Sequence, residues 1–198
     1  IDRAQYLGLT DKAIVADAPA WRIDIIADPQ DKTLVIADNG IGMSEEELDK
    51  NLGVIASSGT KAFAQALKER KAVDVPELIG QFGVGFYAAF MVAEQVTVIT
   101  LKRGEGQKAV KWISGGDGTY TLEDAARDKP GTTIVLKMRE GMDEYLNEWR
   151  IRELVKKYSN FIAYPIRFGD KGETPKADAE PLNTMKALWK RPKNEVTD

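Results

Sequence analysis

The 198-residue chain contains no cysteine and no histidine. The absence of cysteine excludes disulfide bonds and thiolate metal sites, and it is consistent with a reducing compartment. The absence of histidine removes the commonest general base and metal ligand of proteins. Any chemistry in this chain therefore depends on carboxylates, lysines, arginines, hydroxyls and backbone groups.

Long hydrophobic runs and a large excess of charge are also missing. No run approaches the roughly 20 apolar residues that a membrane-spanning helix needs, and no basic segment followed by an apolar one marks a secretion signal at the start. The net charge is only −3, which gives no electrostatic reason to expect nucleic acid or an anionic membrane as a partner. We therefore expect a cytoplasmic protein that binds neither nucleic acid nor membrane.

The hydrophobic patterns predict an α+β fold. Helix-like spacing precedes and follows several short stretches of alternating or β-branched residues. Strands are predicted at residues 21–27, 33–37, 95–101, 108–114, 119–123, 132–138 and 164–168. These elements indicate a two-layer sandwich, with a mixed, mostly antiparallel sheet and helices on one face. Residues 143–162 are predicted to form one helix that directs the following side chains toward the core: Leu146, Trp149, Leu154, Tyr158, Phe161 and Ile162.

The stretch "DNGIGMSEEE" at residues 38–47 joins a predicted strand to a predicted helix. Asp38 could accept a hydrogen bond from an exocyclic amine such as that of adenine, whereas guanine presents an acceptor at the same place. Gly42 would leave room for the base, and Met43 would supply a soft apolar wall. In the alternative interpretation, Asp38 is a turn residue and Met43 fills the core. Ser44 and Glu47 have the spacing of a capping box at the start of the helix.

A second constellation, "GQFGVGF" at residues 80–86, carries three glycines before a predicted buried helix. Glycine permits close approach of the backbone to a ligand, and the start of a helix attracts a phosphate. The loop is not a Walker A motif, because no Gly-Lys-Ser/Thr closes it. A purely structural turn is the alternative.

Taken together, these motifs resemble a known family. "DNGIGM", "NLGVIASSGTKAF" and "GQFGVGFYAAF", in that order, are similar to the nucleotide-binding domain of the heat-shock protein 90 family, in its bacterial branch. "EYLNEWRIRELVKKYSNFIAYPI" extends the resemblance to the end of that domain, and "NTMKALWKRPKNEVTD" is similar to the entry to the family's middle domain. The wider superfamily of GHKL ATPases includes gyrase B, MutL-type repair proteins and histidine kinases.

The resemblance implies a role for individual residues. Asp38 would hold the adenine amine beside Gly42, with Met43 packed on the base and Thr132 sharing an ordered water with Asp38. The other implied contacts are those of the helix face beside the ribose and base, Asn51 and Leu52, and those of the phosphate loop, Gly83, Val84, Gly85 and Phe86. The implied ligand is ATP or ADP, with Mg²⁺ held through the phosphates.

The resemblance also implies a division of the chain. Residues 1–168 would form the N-terminal ATP-binding domain, with a mobile lid at about 53–80. Residues 169–181 would be a polar linker, and residues 182–198 would begin the middle domain. The full-length protein would be a homodimeric chaperone ATPase that assists the folding of client proteins. The alternatives are another enzyme of the superfamily, such as a kinase, or an interaction module that binds no nucleotide.

Two departures from the family pattern affect the expected activity. Ser57 stands where many relatives carry a basic residue that approaches the nucleotide. The family's first strand and first catalytic helix would lie upstream of Ile1, and that helix supplies the catalytic glutamate and the asparagine that holds magnesium. We therefore expect a fold that is incomplete at the N-terminus and that binds nucleotide without hydrolysing it. No catalytic residue and no metal ligand is assigned within the chain.

Overall fold

A computed structural model describes residues 1–15, 20–53, 85–104 and 106–185. These residues form an α+β fold in which helices pack on one face of a seven-stranded open sheet. The predicted fold class is therefore confirmed. Within the described residues, no helix has the length and apolar character that crossing a membrane requires.

The sheet is mixed but almost entirely antiparallel. Its strands are β1 (Ile23–Asp28), β2 (Thr33–Asp38), β3 (Ala93–Leu101), β4 (Ala109–Ser114), β5 (Thr121–Asp124), β6 (Gly131–Met138) and β7 (Ile166–Gly169). They lie in the order β5-β4-β3-β6-β2-β1-β7. Only β1 and β7 run parallel, and the other neighbours are antiparallel. Strands β2, β6 and β3, which are distant in sequence, are thereby brought side by side at the centre.

The helices of the described residues are short and lie before and between the strands. They are α1 (Asp2–Thr10), α2 (Glu45–Leu52), α3 (Ala89–Val92) and α4 (Glu148–Tyr158), with 3₁₀ turns at Lys12–Ile14, Gly85–Ala88 and Asp143–Leu146. The core lies between the sheet and these helices. Trp112, Val96 and Val98 come from the inner face of the sheet, and Leu48 and Ile151 come from α2 and α4. Burial of such side chains stabilises the fold by about 1.5–3 kcal/mol each.

The prediction of one continuous helix over residues 143–162 is wrong. Asn147 is extended (φ −85°, ψ 126°), and its side chain accepts hydrogen bonds from the backbone N–H groups of Trp149 and Arg150. A 3₁₀ turn ends before this cap, and α4 begins after it. Leu146 is buried as predicted, and Leu154 and Ile162 are partly buried, but Trp149, Tyr158 and Phe161 are exposed. Trp149 lies about 200° around the helix from the buried Ile151.

The segment after β7 returns to the body of the domain. Leu182 and Asn183 are buried, and the backbone N–H of Leu182 donates to the carbonyl of Ile166. The proposed linker (169–181) and middle-domain start (182–198) stay predictions, and residues 186–198 lie outside the described part of the chain. Most of the predicted lid (53–80) lies outside it as well.

Candidate nucleotide site

The start of α2 is fixed by the capping box that the sequence predicts. The hydroxyl of Ser44 accepts from the backbone N–H of Glu47 (3.3 Å), and the Glu47 carboxylate accepts from the N–H of Ser44 (3.1 Å). Glu47 also forms ion pairs with Lys102 (3.1 Å) and Arg3 (3.3 Å). Burial alone would raise the pKa of Glu47, but the Ser44 N–H and the two cations outweigh it, so the pKa lies below its usual range. One carboxylate thus joins α1, α2 and the end of β3.

Asp38 lies at the end of β2, just before this loop, and is partly buried. Its Oδ1 accepts from the backbone N–H of Gly40 at 2.7 Å. Its own carbonyl accepts from the Arg127 guanidinium at 3.3 Å. Burial raises the pKa of Asp38 above its ordinary value, although the Gly40 N–H, the amino group of Ile1 and Arg127 act in the opposite direction. The protein therefore holds a poorly solvated acceptor at the edge of its central strands.

Two hydroxyls lie in the same row of the sheet as Asp38. Asp38 faces Thr132 across β2 and β6, and Thr132 faces Thr100 across β6 and β3. Residues directly opposite each other in antiparallel strands point to the same side of a sheet. The Oγ1 atoms of Thr132 and Thr100 are 3.1 Å apart. The structure thus brings Thr132 next to Asp38, as the family resemblance implies, and adds Thr100, which the sequence analysis missed.

Gly42 lies in the loop with a left-handed backbone (φ 66°). A β-carbon built there would be 1.9 Å from the carbonyl oxygen of Leu101. The backbone of β3 therefore already requires glycine at this position, whether or not a base lies nearby. The next residue, Met43, donates its backbone N–H to the hydroxyl of Thr100 at 2.9 Å, and its side chain packs against the core.

The remaining predicted contacts lie along α2 and at the phosphate loop. Asn51 and Leu52 are in the last turn of α2 and are partly buried. The carbonyl of Leu52 accepts from the hydroxyl of Tyr87 at 3.0 Å, which ties α2 to the turn at Gly85–Ala88. The ring of Phe86 packs edge-on against Trp112, with centroids 5.7 Å apart. Within the predicted phosphate loop, Gly85 and Phe86 are described, whereas Gly83 and Val84 lie outside the described residues.

A further set of contacts holds the loop after Asp38 in place. The side chain of Asn39 accepts from the N–H of Arg22 and donates to the carbonyl of Ala20, both at 2.9 Å. Arg103 donates to the carbonyls of Asn39 and Ile41, and its guanidinium lies 5.3 Å from the ring centroid of Trp21. Sequence reasoning missed these contacts because the partners lie about 17–82 positions apart and show no local pattern.

Potential metal ligands do not cluster in the described part of the chain. Residues 1–15, 20–53, 85–104 and 106–185 contain no group of three or more Asp or Glu side chains placed to hold a metal ion. The polar groups that the site does offer are a partly buried carboxylate, which accepts hydrogen bonds, together with hydroxyls and backbone N–H groups. This set suits the polar edge of a base.

The open mixed sheet with helices on one face is consistent with the fold of GHKL-type nucleotide-binding domains, and a partly buried carboxylate lies at the end of one of its central strands. Residues 7–115, more than half of the chain, match the family described as "Histidine kinase-, DNA gyrase B-, and HSP90-like ATPase". The chain belongs to this family.

Curated relatives agree with this assignment over the whole chain. The chain is 46% identical to "Chaperone protein HtpG" of Geobacter sulfurreducens over 215 residues, which cover 100% of the chain and 33% of that protein. It is 46% identical to the protein of the same name from Fusobacterium nucleatum, and 48% identical to that of Methylorubrum extorquens strain PA1, in each case over 100% of the chain and 31% of the relative. The chain therefore spans about a third of the length of these relatives. It is similar to the nucleotide-binding part of the heat-shock protein 90 family.

Proposed function

We propose that this chain binds ADP and ATP as the nucleotide-binding domain of a molecular chaperone. The base would enter beside β2 and β6, with its exocyclic amine donating to the carboxylate of Asp38. Thr132 would share a water with that carboxylate, and Met43 would contact the base. Asn51 and Leu52 would lie beside the ribose and the base, and the loop of Gly83, Val84, Gly85 and Phe86 would wrap the phosphates.

The observation that carries this proposal is the partly buried, poorly solvated carboxylate of Asp38 beside Thr132 at the end of a central strand. Burial of a charge costs free energy, and here it raises the pKa of the buried group. Such carboxylates concentrate at functional sites. Asp38 also has two hydroxyl-bearing neighbours in its row, Thr132 and Thr100. A polar row at the edge of an otherwise apolar sheet face is suited to recognise the polar edge of a flat, largely apolar ring.

The residues described here fit a nucleotide better than a directly bound metal ion. Asp38 would not bind Mg²⁺, because it lies at the end of the proposed site that would hold the base. Mg²⁺ would instead be held through the phosphates of the nucleotide, where it would supply positive charge. Action on client proteins is a proposal for the whole protein, supported by the relatives named chaperone. Hydrolysis of ATP is likewise proposed for the whole protein, supported by the family's description as an ATPase. Homodimerisation and residence in the cytoplasm are proposals that rest on the family resemblance alone.

Calorimetric titration of the purified chain with ADP and with GDP tests the proposal. ADP is expected to bind, and GDP to bind at least about 10-fold more weakly, because its carbonyl would face an acceptor. A repeat with and without Mg²⁺ measures the contribution of charge at the phosphates. Equal affinity for ADP and GDP would exclude Asp38 as the group that reads the base. Absence of binding to either nucleotide would favour the interaction module without nucleotide.

A further inference from the structure

Thr100 is a polar residue in an apolar series. The inward-facing positions of β3 are Val96, Val98 and Thr100, and all three are at most 1% exposed. A valine would fill the last position with nearly the same volume. Burying a hydroxyl there costs free energy unless it forms hydrogen bonds, so the contacts of Thr100 indicate why the strand carries it.

The Thr100 hydroxyl joins three separate segments. It accepts from the backbone N–H of Met43 at 2.9 Å, which fixes the loop between β2 and α2. It donates to the carbonyl of Gly131 at 3.1 Å, at the start of β6. It also lies 3.1 Å from the hydroxyl oxygen of Thr132. Met43 and Thr132 are the two residues that would flank the base next to Asp38.

We propose that Thr100 is a positioning residue that sets the base selectivity of the site. Its hydroxyl holds the hydroxyl of Thr132 and the backbone of Met43 in one arrangement beside Asp38. Thr100 itself is fully buried, so it acts through these two neighbours and does not touch the ligand. This inference rests on the proposed function and identifies a part of the site that discriminates between purines.

The physical basis is the freedom of a hydroxyl to rotate. A threonine hydroxyl can present either its proton or a lone pair, depending on what faces it. A Thr132 hydroxyl engaged by Thr100 cannot turn to suit an arriving ligand without losing that contact. A Thr132 hydroxyl released from Thr100 could donate to a purine carbonyl and offset the repulsion of that carbonyl by Asp38. The site would then distinguish poorly between an amine and a carbonyl at the same ring position.

Thr100→Val tests the inference, with ADP and inosine diphosphate (IDP) as the ligands. The two differ at the ring position that Asp38 would read, where ADP carries an amine and IDP a carbonyl. The ratio of the two affinities is expected to fall at least about fivefold in Thr100→Val, since loss of a hydroxyl contact changes discrimination by roughly this amount or more. Thr100→Ser keeps the hydroxyl and is expected to keep the ratio within about twofold.

Thr97→Val is the matched control. Thr97 lies on the same strand but faces the other side of the sheet and is partly exposed. This variant is expected to leave the ratio unchanged. If Thr100→Val is too unstable to titrate, Thr100→Cys replaces it, because a buried thiol behaves as a small apolar group of similar size.

The outcomes separate the two proposals. If the parent selects ADP, but Thr100→Val weakens both nucleotides by the same factor or changes neither, Thr100 has only a structural role and the inference is wrong. Failure of both Thr100→Val and Thr100→Cys to fold would likewise assign the hydroxyl to stability. If the parent binds no ADP, the proposed function fails and this inference fails with it.

Discussion

At Gly42 the loop after β2 passes directly against the backbone of β3. The φ of 66° is positive, and a β-carbon at this position would lie 1.9 Å from the carbonyl oxygen of Leu101, so there is no space for a side chain. We expect Gly42→Ala to lower the free energy of unfolding by about 2–4 kcal/mol, from backbone strain and overpacking together. Urea denaturation monitored by circular dichroism would measure this loss.

Gly85 provides the matched comparison. A β-carbon there would meet no atom of the described residues within 4 Å. Gly85→Ala is therefore expected to change the free energy of unfolding by less than about 1 kcal/mol. If the two alanine variants proved equally stable, the close approach of Gly42 to β3 would be contradicted.

Individual residues also show how far the sequence predicts the site. Asp38 could be predicted because a carboxylate at a strand end, followed by two glycines and a helix start, is a local pattern. Thr132 was predicted as a site residue only from the family resemblance, and the structure has it opposite Asp38 on the neighbouring strand. Thr100 could have been noticed as a polar residue at an inward-facing position of β3. Its partnership with Met43 depends on the pairing of β3 with β6, which local patterns do not determine.

Among the helices, α2 has one side chain at its start that makes several contacts. Glu47 caps the helix and pairs with Lys102 and Arg3. Glu47→Gln can still accept the capping hydrogen bond but loses the charge. We expect a loss of about 0.5–1 kcal/mol in the free energy of unfolding at pH 7, since both ion pairs are partly exposed. Denaturant unfolding measured across a pH series would test this value.

The pH dependence gives this prediction a second readout. The pKa of Glu47 is lower in the folded protein than its usual value, so its contribution is present above the unfolded-state pKa and is lost as the pH falls through the folded-state pKa. The difference between parent and Glu47→Gln should therefore vanish in acid. Glu46→Gln, an exposed change in the same helical turn, is the control and should have little effect at any pH. A loss for Glu47→Gln that persisted at low pH would contradict the ion-pair explanation.

Among the elements, the strands were predicted more accurately than the last helix. Each strand segment of the described residues shows alternation or β-branched residues, which is a strong local signal. The predicted helix at 143–162 failed at Asn147, whose side chain caps α4. Asparagine is a preferred N-cap residue, so Asn147 itself could have indicated where the helix begins. The helical spacing of the hydrophobic residues on both sides of Asn147 favoured one continuous helix instead. The exposure of Trp149 follows from that break and from the orientation of α4.

For the molecule as a whole, the side chain of Asn183 connects the segment after β7 to β7 itself and to the residues just before it. Its Oδ1 accepts from the N–H of Ile166, and its Nδ2 donates to the carbonyls of Ile162 and Tyr164, all at 2.9 Å. Asn183→Ala would leave these buried backbone groups without partners. We expect a loss of about 2–4 kcal/mol, because each unsatisfied buried group costs roughly 1–3 kcal/mol.

Thermal unfolding followed by circular dichroism would measure the effect of Asn183→Ala. Glu180→Ala, at an exposed position shortly before it, is the control and should change the free energy of unfolding by less than about 0.5 kcal/mol. Equal stability of Asn183→Ala and the parent would show that the segment after β7 is not part of the domain's structural body.

The central claim for the whole domain is that the partly buried carboxylate of Asp38, at the end of a central strand, reads adenine. In Asp38→Asn the amide oxygen can still accept from Gly40, but the charge is gone. Because burial raises the pKa of Asp38 in the folded state, the parent loses stability as the pH rises from the unfolded-state pKa through the folded-state pKa. Asp38→Asn avoids that cost and should be at least as stable as the parent at neutral pH.

Calorimetric titration of Asp38→Asn and the parent with ADP, at neutral pH and after both are shown to be folded, tests this claim most directly. The account predicts that the variant binds ADP about 10- to 150-fold more weakly, corresponding to about 1.5–3 kcal/mol for a hydrogen bond to a charged group. Binding of ADP by folded Asp38→Asn as tightly as by the parent would contradict it, because Asp38 would then lie outside the site.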